Sequence, residues 1–217
     1  MRRKHGADYA AAQQLYHRAD AKSFEIARRL NEKGLQWLAH LAAADELYPL
    51  EIFRHNRDLW RKLDGRACLR AARIPIVLLN CNFQYAEWWA SVVSHGVPPI
   101  INIGNDRLPI AEDTQAVLRD LLAEARTIAV TEPGVANLVL GAPSATVRLI
   151  ASMTLPDIDW ISVRYVRELR PRWTEKAVFW RNLLLASLGE TEDELSDLHC
   201  LGLQLLGSEL LANIRTG

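Results

Sequence analysis

Residues 138–172, LVLGAPSATVRLIASMTLPDIDWISVRYVRELRPR, hold three helix-boundary signals in a row and so dictate short helices joined by tight corners. Gly141 is placed to stop one helix in the left-handed conformation that only glycine adopts cheaply. Ser144 can cap the start of a second, and Thr154, followed by Pro156 and Asp157, can open a third. A chain punctuated in this way folds as packed helices, and its second half predicts a helix-turn-helix-like segment.

The remaining sequence agrees with a mainly α fold, a multi-helix orthogonal bundle. Apolar residues at helical spacing (Leu15, Phe24, Ile26, Leu30, Trp37, Leu38, Leu41) predict a helix over residues 7–47 that Gly34 bends or breaks. Pro49 suits the first turn of a helix carrying Ile52, Leu59 and Leu63 on one side, interrupted by Asp64 and Gly65. The run IPIVLLNCNF at 74–83 is β-branched and apolar, but no second convincing strand follows to pair with it. It therefore reads either as a buried extended segment or as a deep helix. Residues 85–95 form a helix closed by Gly96 and Pro98. The loop at 98–110 then divides an N-terminal helical region, 1–97, from a C-terminal one, 111–217. In the latter, helices are expected over 111–125, from Thr131 to Gly141, 144–152, 155–169, from Thr174 to Gly189, and after a capping box of Thr191 and Glu194. No repeat of fixed period is visible, and the missing strands exclude a parallel α/β sheet.

With 217 residues, 49% of them apolar, the chain can bury a core without disulfides or metal. Its three cysteines are odd in number and scattered, which predicts a reducing, cytoplasmic setting. No apolar run approaches the roughly 20 residues of a membrane span, so no membrane partner is expected.

Net charge is zero, yet the charges are segregated. Residues 54–73 carry Arg54, Arg57, Arg61, Lys62, Arg66, Arg70 and Arg73 against only Asp58 and Asp64, residues 148–181 are also basic, and the C-terminal stretch after Arg181 is acidic. Such patches suit a phosphate backbone or an oppositely charged partner, and they equally suit ordinary solvated helix faces. The basic stretch at 54–73 shows no corner in front of it.

Catalytic constellations are sparse. The chain lacks a glycine-rich phosphate loop and a His-Glu-x-x-His pair, and no cofactor is implied. Cys81 with His95 could be drawn as a thiol and its base, although a cysteine in VLLNCNF more often fills a core. Cys68 and Cys81 stand too far apart for a structural zinc signature.

Two groups of residues carry the functional expectation. Arg164, Arg167 and Arg170, spaced along one helix face, would hold DNA phosphates together with Arg172, while Tyr165 or Ser162 approaches base edges. Trp88 and Trp89, adjacent on a helix, cannot both face one core, so one of them is expected to meet a partner, either a second copy or another subunit. The alternative is a helical protein–protein interaction module without DNA contact.

The pattern Leu140-Gly141, a short helix to Ile150, then Met153-Thr154-Leu155-Pro156 resembles the FlhD-type subunit of the bacterial flagellar master transcriptional activator, over roughly residues 118–185. The resemblance implies an all-helical, oligomeric, cytoplasmic regulator that contacts promoter DNA in company with an FlhC-type partner. Asp159, Trp160 and Ile161 depart from that family's lysine-leucine-alanine continuation, and the four-cysteine zinc site of the FlhC-type partner has no counterpart.

Overall fold

In a computed structural model of the protein, residues 21–43, 50–101, 108, 110, 112–189 and 193–216 are described. They form a mainly helical bundle with one two-stranded antiparallel sheet. Helix α1 (Ala21–Ala43) is followed by α2 (Glu51–Arg54), α3 (Arg57–Lys62), α4 (Gly65–Ala71), strand β1 (Leu79–Asn80) and α5 (Ala86–Val93). Then come α6 (Thr114–Thr131), α7 (Pro133–Leu140), α8 (Ser144–Ser152) and α9 (Leu155–Arg164), a 3-10 turn (Val166–Glu168), strand β2 (Arg170–Pro171), α10 (Ala177–Leu188) and α11 (Asp193–Thr216). Among these no single helix is long and apolar enough to cross a membrane.

The order of elements hides a duplication. Asn82 and Trp173, 91 positions apart, are both left-handed, with φ of 56° and 51°. The Tyr85 amide donates to Asn82 O at 3.0 Å, the Lys176 amide donates to Trp173 O at 2.8 Å, and a helix begins at the next residue in each case. At the same offset α1 maps onto α6, and their buried positions coincide: Ser23 with Thr114, Ile26 with Val117, Leu30 with Leu121 and Trp37 with Ile128. At an offset of 90, α3 and α4 map onto α8 and α9, with Asn56 on Thr146, Trp60 on Ile150, Leu63 on Met153, Cys68 on Ile158 and Ala71 on Ile161, all buried. The expectation of no repeat is thus corrected. Few side chains are identical (Arg28 and Arg119, Leu30 and Leu121, Leu59 and Leu149, Leu78 and Leu169, Ala86 and Ala177, Trp89 and Trp180), and what persists is the burial pattern.

The copies are interlocked. Helices α1 and α6 pack against each other, α10 of the second copy packs on α3 and α4 of the first, and α5 of the first packs on α8 of the second. The strand register obeys the same exchange, because Leu79 faces Pro171 and Asn80 faces Arg170, a pairing that maps onto itself when the copies are swapped. One continuous core results, running from Ile26 to Leu206. The linker expected at 98–110 lies in large part outside the described residues, and the copies on either side of it share one core.

Several local expectations are corrected by tertiary contacts. Gly34 does not break α1; a Cβ there would lie 2.9 Å from Leu79 Cδ1, so the glycine admits the 74–80 segment against the helix. That segment is buried and not helical; it bends at residues 74–76 and 78, and only its end, Leu79–Asn80, is strand, which finds a partner in β2. Asn31 on α1 fixes it by donating to Ile74 O (3.2 Å) and Ile76 O (2.7 Å) while accepting from the Leu78 amide (2.8 Å). The helix expected around Leu59 is two short ones, α2 and α3, interrupted at His55 and Asn56. Ser144 lies in the first turn of α8, with Pro143 at the capping position. Gly141 stops α7 with φ of 56°. Thr154 and Asp157 form the reciprocal capping box of α9. Pro49 and Thr191 lie outside the described residues.

Candidate nucleic-acid interface

The arginine row does not survive folding as one face. Helix α9 ends at Arg164, where Tyr165 leaves helical geometry at ψ 27°; the 3-10 turn and extended Leu169 then redirect the chain into β2. Arg164 and Arg167 are exposed, whereas Arg170 and Arg172 are buried. Arg172 is 1% exposed. Its Nε donates to Val77 O at 2.8 Å, one Nη donates to Leu140 O, and the other meets Glu209 Oε2 at 3.1 Å. Burial pulls its pKa below the ordinary guanidinium value, and Glu209 pushes in the opposite direction. This guanidinium ties the segment leading into β1 to α7 and α11 and does not face solvent.

Tyr165 and Ser162 are likewise part of the packing. The Tyr165 ring meets Trp88 and Trp160 edge-on at 5.3 and 5.6 Å, and Ser162 is buried with its hydroxyl donating to Asp159 O at 2.8 Å. Neither reaches outward from the corner as a reader of base edges would.

Trp88 and Trp89 are both buried, which corrects the expectation that one faces a partner. Helix α5 is packed on two sides. Trp89 stacks on Phe83 at 5.9 Å and donates to Asn82 O at 3.1 Å, while Trp88 turns toward Tyr165 in the second copy. The partner that the adjacent pair demanded is the other half of the same chain.

Cys81 is fully buried, and burial pushes its thiol pKa up to about 12, so no reactive thiolate is available at neutral pH. Among the described residues no group of His, Cys, Asp and Glu is placed to hold a metal ion.

Instead, the duplication supplies two helix–corner–helix elements. In the second copy, α8 and α9 are joined by Met153 and Thr154; in the first, α3 and α4 are joined by Leu63 and Asp64. Asp64 caps α4 by accepting from the Ala67 amide at 2.8 Å, as Thr154 caps α9. The corner missing from the basic stretch is therefore present. Its signal was Asp64 after an apolar residue, an N-cap without the proline that makes Thr154 conspicuous.

The two corners differ in charge. Around α8 and α9 the exposed groups include Arg148, Leu155, Pro156, Asp159, Val163 and Arg164; Asp159 pairs with Arg119 at 2.6 Å, and Asp157 is engaged by Thr154 and by His95 at 3.3 Å. Around α3 and α4, Arg54, Arg61, Lys62, Arg66 and Arg73 are exposed, together with Glu51, Asp58 and Asp64, and Arg54 pairs with Glu51 at 3.6 Å. Apolar Trp60, Ala67, Cys68 and Ala71 of the same helices face the core, where the Trp60 ring packs 5.7 Å from Trp180 and its Nε1 donates to Ile52 O at 3.0 Å. Arg70 turns toward α10 and donates to Ala186 O at 3.4 Å.

The molecule thus belongs to the class of mainly helical proteins built from two interlocked copies of one helix–corner–helix unit. No family model, no curated protein and no solved structure matches the chain.

Proposed function

We propose that the protein is a DNA-binding transcriptional regulator or regulator subunit, and that it meets the duplex with the α3–α4 corner of its first copy. One observation carries this reading: an N-capped, core-anchored helix corner that exposes Arg61, Lys62 and Arg66 beside Asp58, Asp64 and Leu69, with Arg54 and Arg73 exposed at its flanks. A surface of this kind neutralises successive phosphates, and a helix held by its apolar face is positioned to enter a groove. The equivalent α8–α9 corner exposes fewer cations, Arg148 and Arg164, and carries Asp157 in the first turn of its second helix. The FlhD-type resemblance, which lies on the α8–α9 side, accords with a helical regulator working in an oligomeric assembly, with DNA contact assigned to the other corner.

The test is binding of a labelled duplex at low salt by the wild-type protein and by an Arg61→Glu/Arg66→Glu variant. Loss of binding in the variant with unchanged helicity supports the proposal, and equal binding refutes it. A second reading, protein–protein contact without DNA, is favoured by Leu155 and Val163, each 61% exposed on α9. Under that reading Leu155→Asp/Val163→Asp abolishes partner capture and the arginine variant changes nothing.

A further inference from the structure

Two ion pairs join α1 to α6: Arg29 Nη2 meets Glu124 Oε1 at 3.4 Å, and the Lys33 ammonium meets the Asp120 carboxylate. Under the 91-residue offset that relates the copies, Arg29 maps onto Asp120 and Lys33 onto Glu124. Exchanging the copies therefore turns each pair into the other with its signs reversed. Both cations stand on the first copy and both acids on the second. Other charged side chains of these helices are engaged elsewhere: Arg28 donates to Glu25, Glu32 accepts from Gln36, Arg119 pairs with Asp159 on α9, and Arg126 donates to Met153 O.

Beneath the charges, the two helices bury equivalent positions. Ser23, Ile26, Leu30 and Trp37 of α1 correspond to Thr114, Val117, Leu121 and Ile128 of α6, so the pattern of burial by itself discriminates little between an unlike pairing and a like one. The charges do discriminate. If two α1 helices met with the same symmetry, Arg29 of each would stand opposite Lys33 of the other; if two α6 helices met, Asp120 would stand opposite Glu124. Like charges collide in both cases, and only the α1–α6 pairing brings two opposite pairs together. All four side chains are 34–60% exposed, so the pairs add little to stability, and what their arrangement sets is the difference between a right and a wrong partner.

We infer that α1 presents an interaction surface coded for an α6 face and closed to a second α1, with α6 coded in the reciprocal sense. The partner it fits is the other half of a chain, and the partner it refuses is the same half of a second copy. Repulsion acts at encounter, while the apolar faces of partly folded chains are still open to one another. The seam is independent of the DNA reading, since it uses none of the α3–α4 cations.

The experiment refolds the full chain from denaturant at low ionic strength over a range of concentrations, reading the associated fraction by size exclusion with light scattering and the thermal midpoint of the product. Lys33→Glu/Asp120→Lys keeps an opposite-charge pair at both contacts within the chain, yet places an acid opposite Arg29 in an α1–α1 pairing and a cation opposite Glu124 in an α6–α6 pairing. Arg29→Glu/Glu124→Lys removes the discrimination in the same way from the other pair, so the test does not hang on one variant's folding. Both are expected to melt within about 2 °C of wild type and to raise the associated fraction about threefold or more. That excess should vanish near 1 M salt, where the Debye length is about 3 Å. Reversing all four charges, Arg29→Glu/Lys33→Glu/Asp120→Lys/Glu124→Lys, keeps the code and should refold as wild type does. A wild-type associated fraction in both double variants, an equal excess in the fully reversed chain, or an excess that persists at high salt would overturn the inference.

Discussion

Asn82 and Trp173 are one position occupied twice: each takes a left-handed φ, each accepts the amide three residues on, and each delivers the chain into a helix that packs on the other copy. Because α5 and α10 are exchanged in this way, each half lacks the helix that covers one side of its core, although α6 packs on α7, α8 and α9 of its own half. Expressed separately, residues 1–97 and 98–217 should each show little cooperative unfolding, and mixing them should restore a single transition and co-elution. A half that unfolds cooperatively alone would show that the exchange is dispensable.

Arg172 should behave as a structural cation. Arg172→Met leaves Val77 O and Leu140 O without their donor and Glu209 without its partner, at a cost of about 3 kcal/mol or more. For a chain of this length that is a Tm loss of about 6–12 °C in a thermal melt, whereas Arg164→Ala, at an exposed helix end, changes Tm by less than about 2 °C.

Gly141 should tolerate no side chain. Its φ is 56°, and an added Cβ would press on Leu206 and stand 3.0 Å from Arg172 Nη1. Gly141→Ala is expected to cost about 1–3 kcal/mol by chemical denaturation, with the midpoint shifted and the slope unchanged. A neutral outcome would mean that α11 does not close over this corner.

Much of this was legible in the sequence, and the failures have physical causes. Gly141 and the Thr154–Asp157 box are local devices, so spacing revealed them. The continuity of α9 into Arg170 was wrong because the segment from Leu169 is recruited by β1, a strand 90 residues earlier that periodicity cannot see. Trp88 and Trp89 were read against a single core, when a second copy of the same unit supplies another packing surface. The duplication escaped because side chains diverged while burial was kept, and the basic corner escaped with it.

The Asp157 cap should be visible in the pH dependence of stability. Hydrogen bonds from the Thr154 hydroxyl and amide, with His95 adding to them, hold its carboxyl below the usual value of 3.8. Since the folded pKa is the lower one, this contribution is fully present above the unfolded value and is lost as pH falls through the folded one. Thr154→Ala is therefore expected to cost about 1 kcal/mol at neutral pH, with the difference from wild type shrinking in the acid limb of a denaturation series. A difference that stays constant from neutral pH down through that limb would remove the cap from the account.

Binding of the DNA backbone by exposed cations of the α3–α4 corner, as proposed above, is read from the salt dependence of duplex affinity. If Arg54, Arg61, Lys62, Arg66 and Arg73 each neutralise a phosphate, the logarithm of the association constant falls with the logarithm of salt at a slope of about −4.5. Arg61→Glu/Arg66→Glu should flatten that slope by about 2 and weaken binding at every salt concentration, while Arg164→Ala/Arg167→Ala leaves both nearly unchanged. An affinity independent of salt, or a slope that follows Arg164 and Arg167 instead, would contradict it.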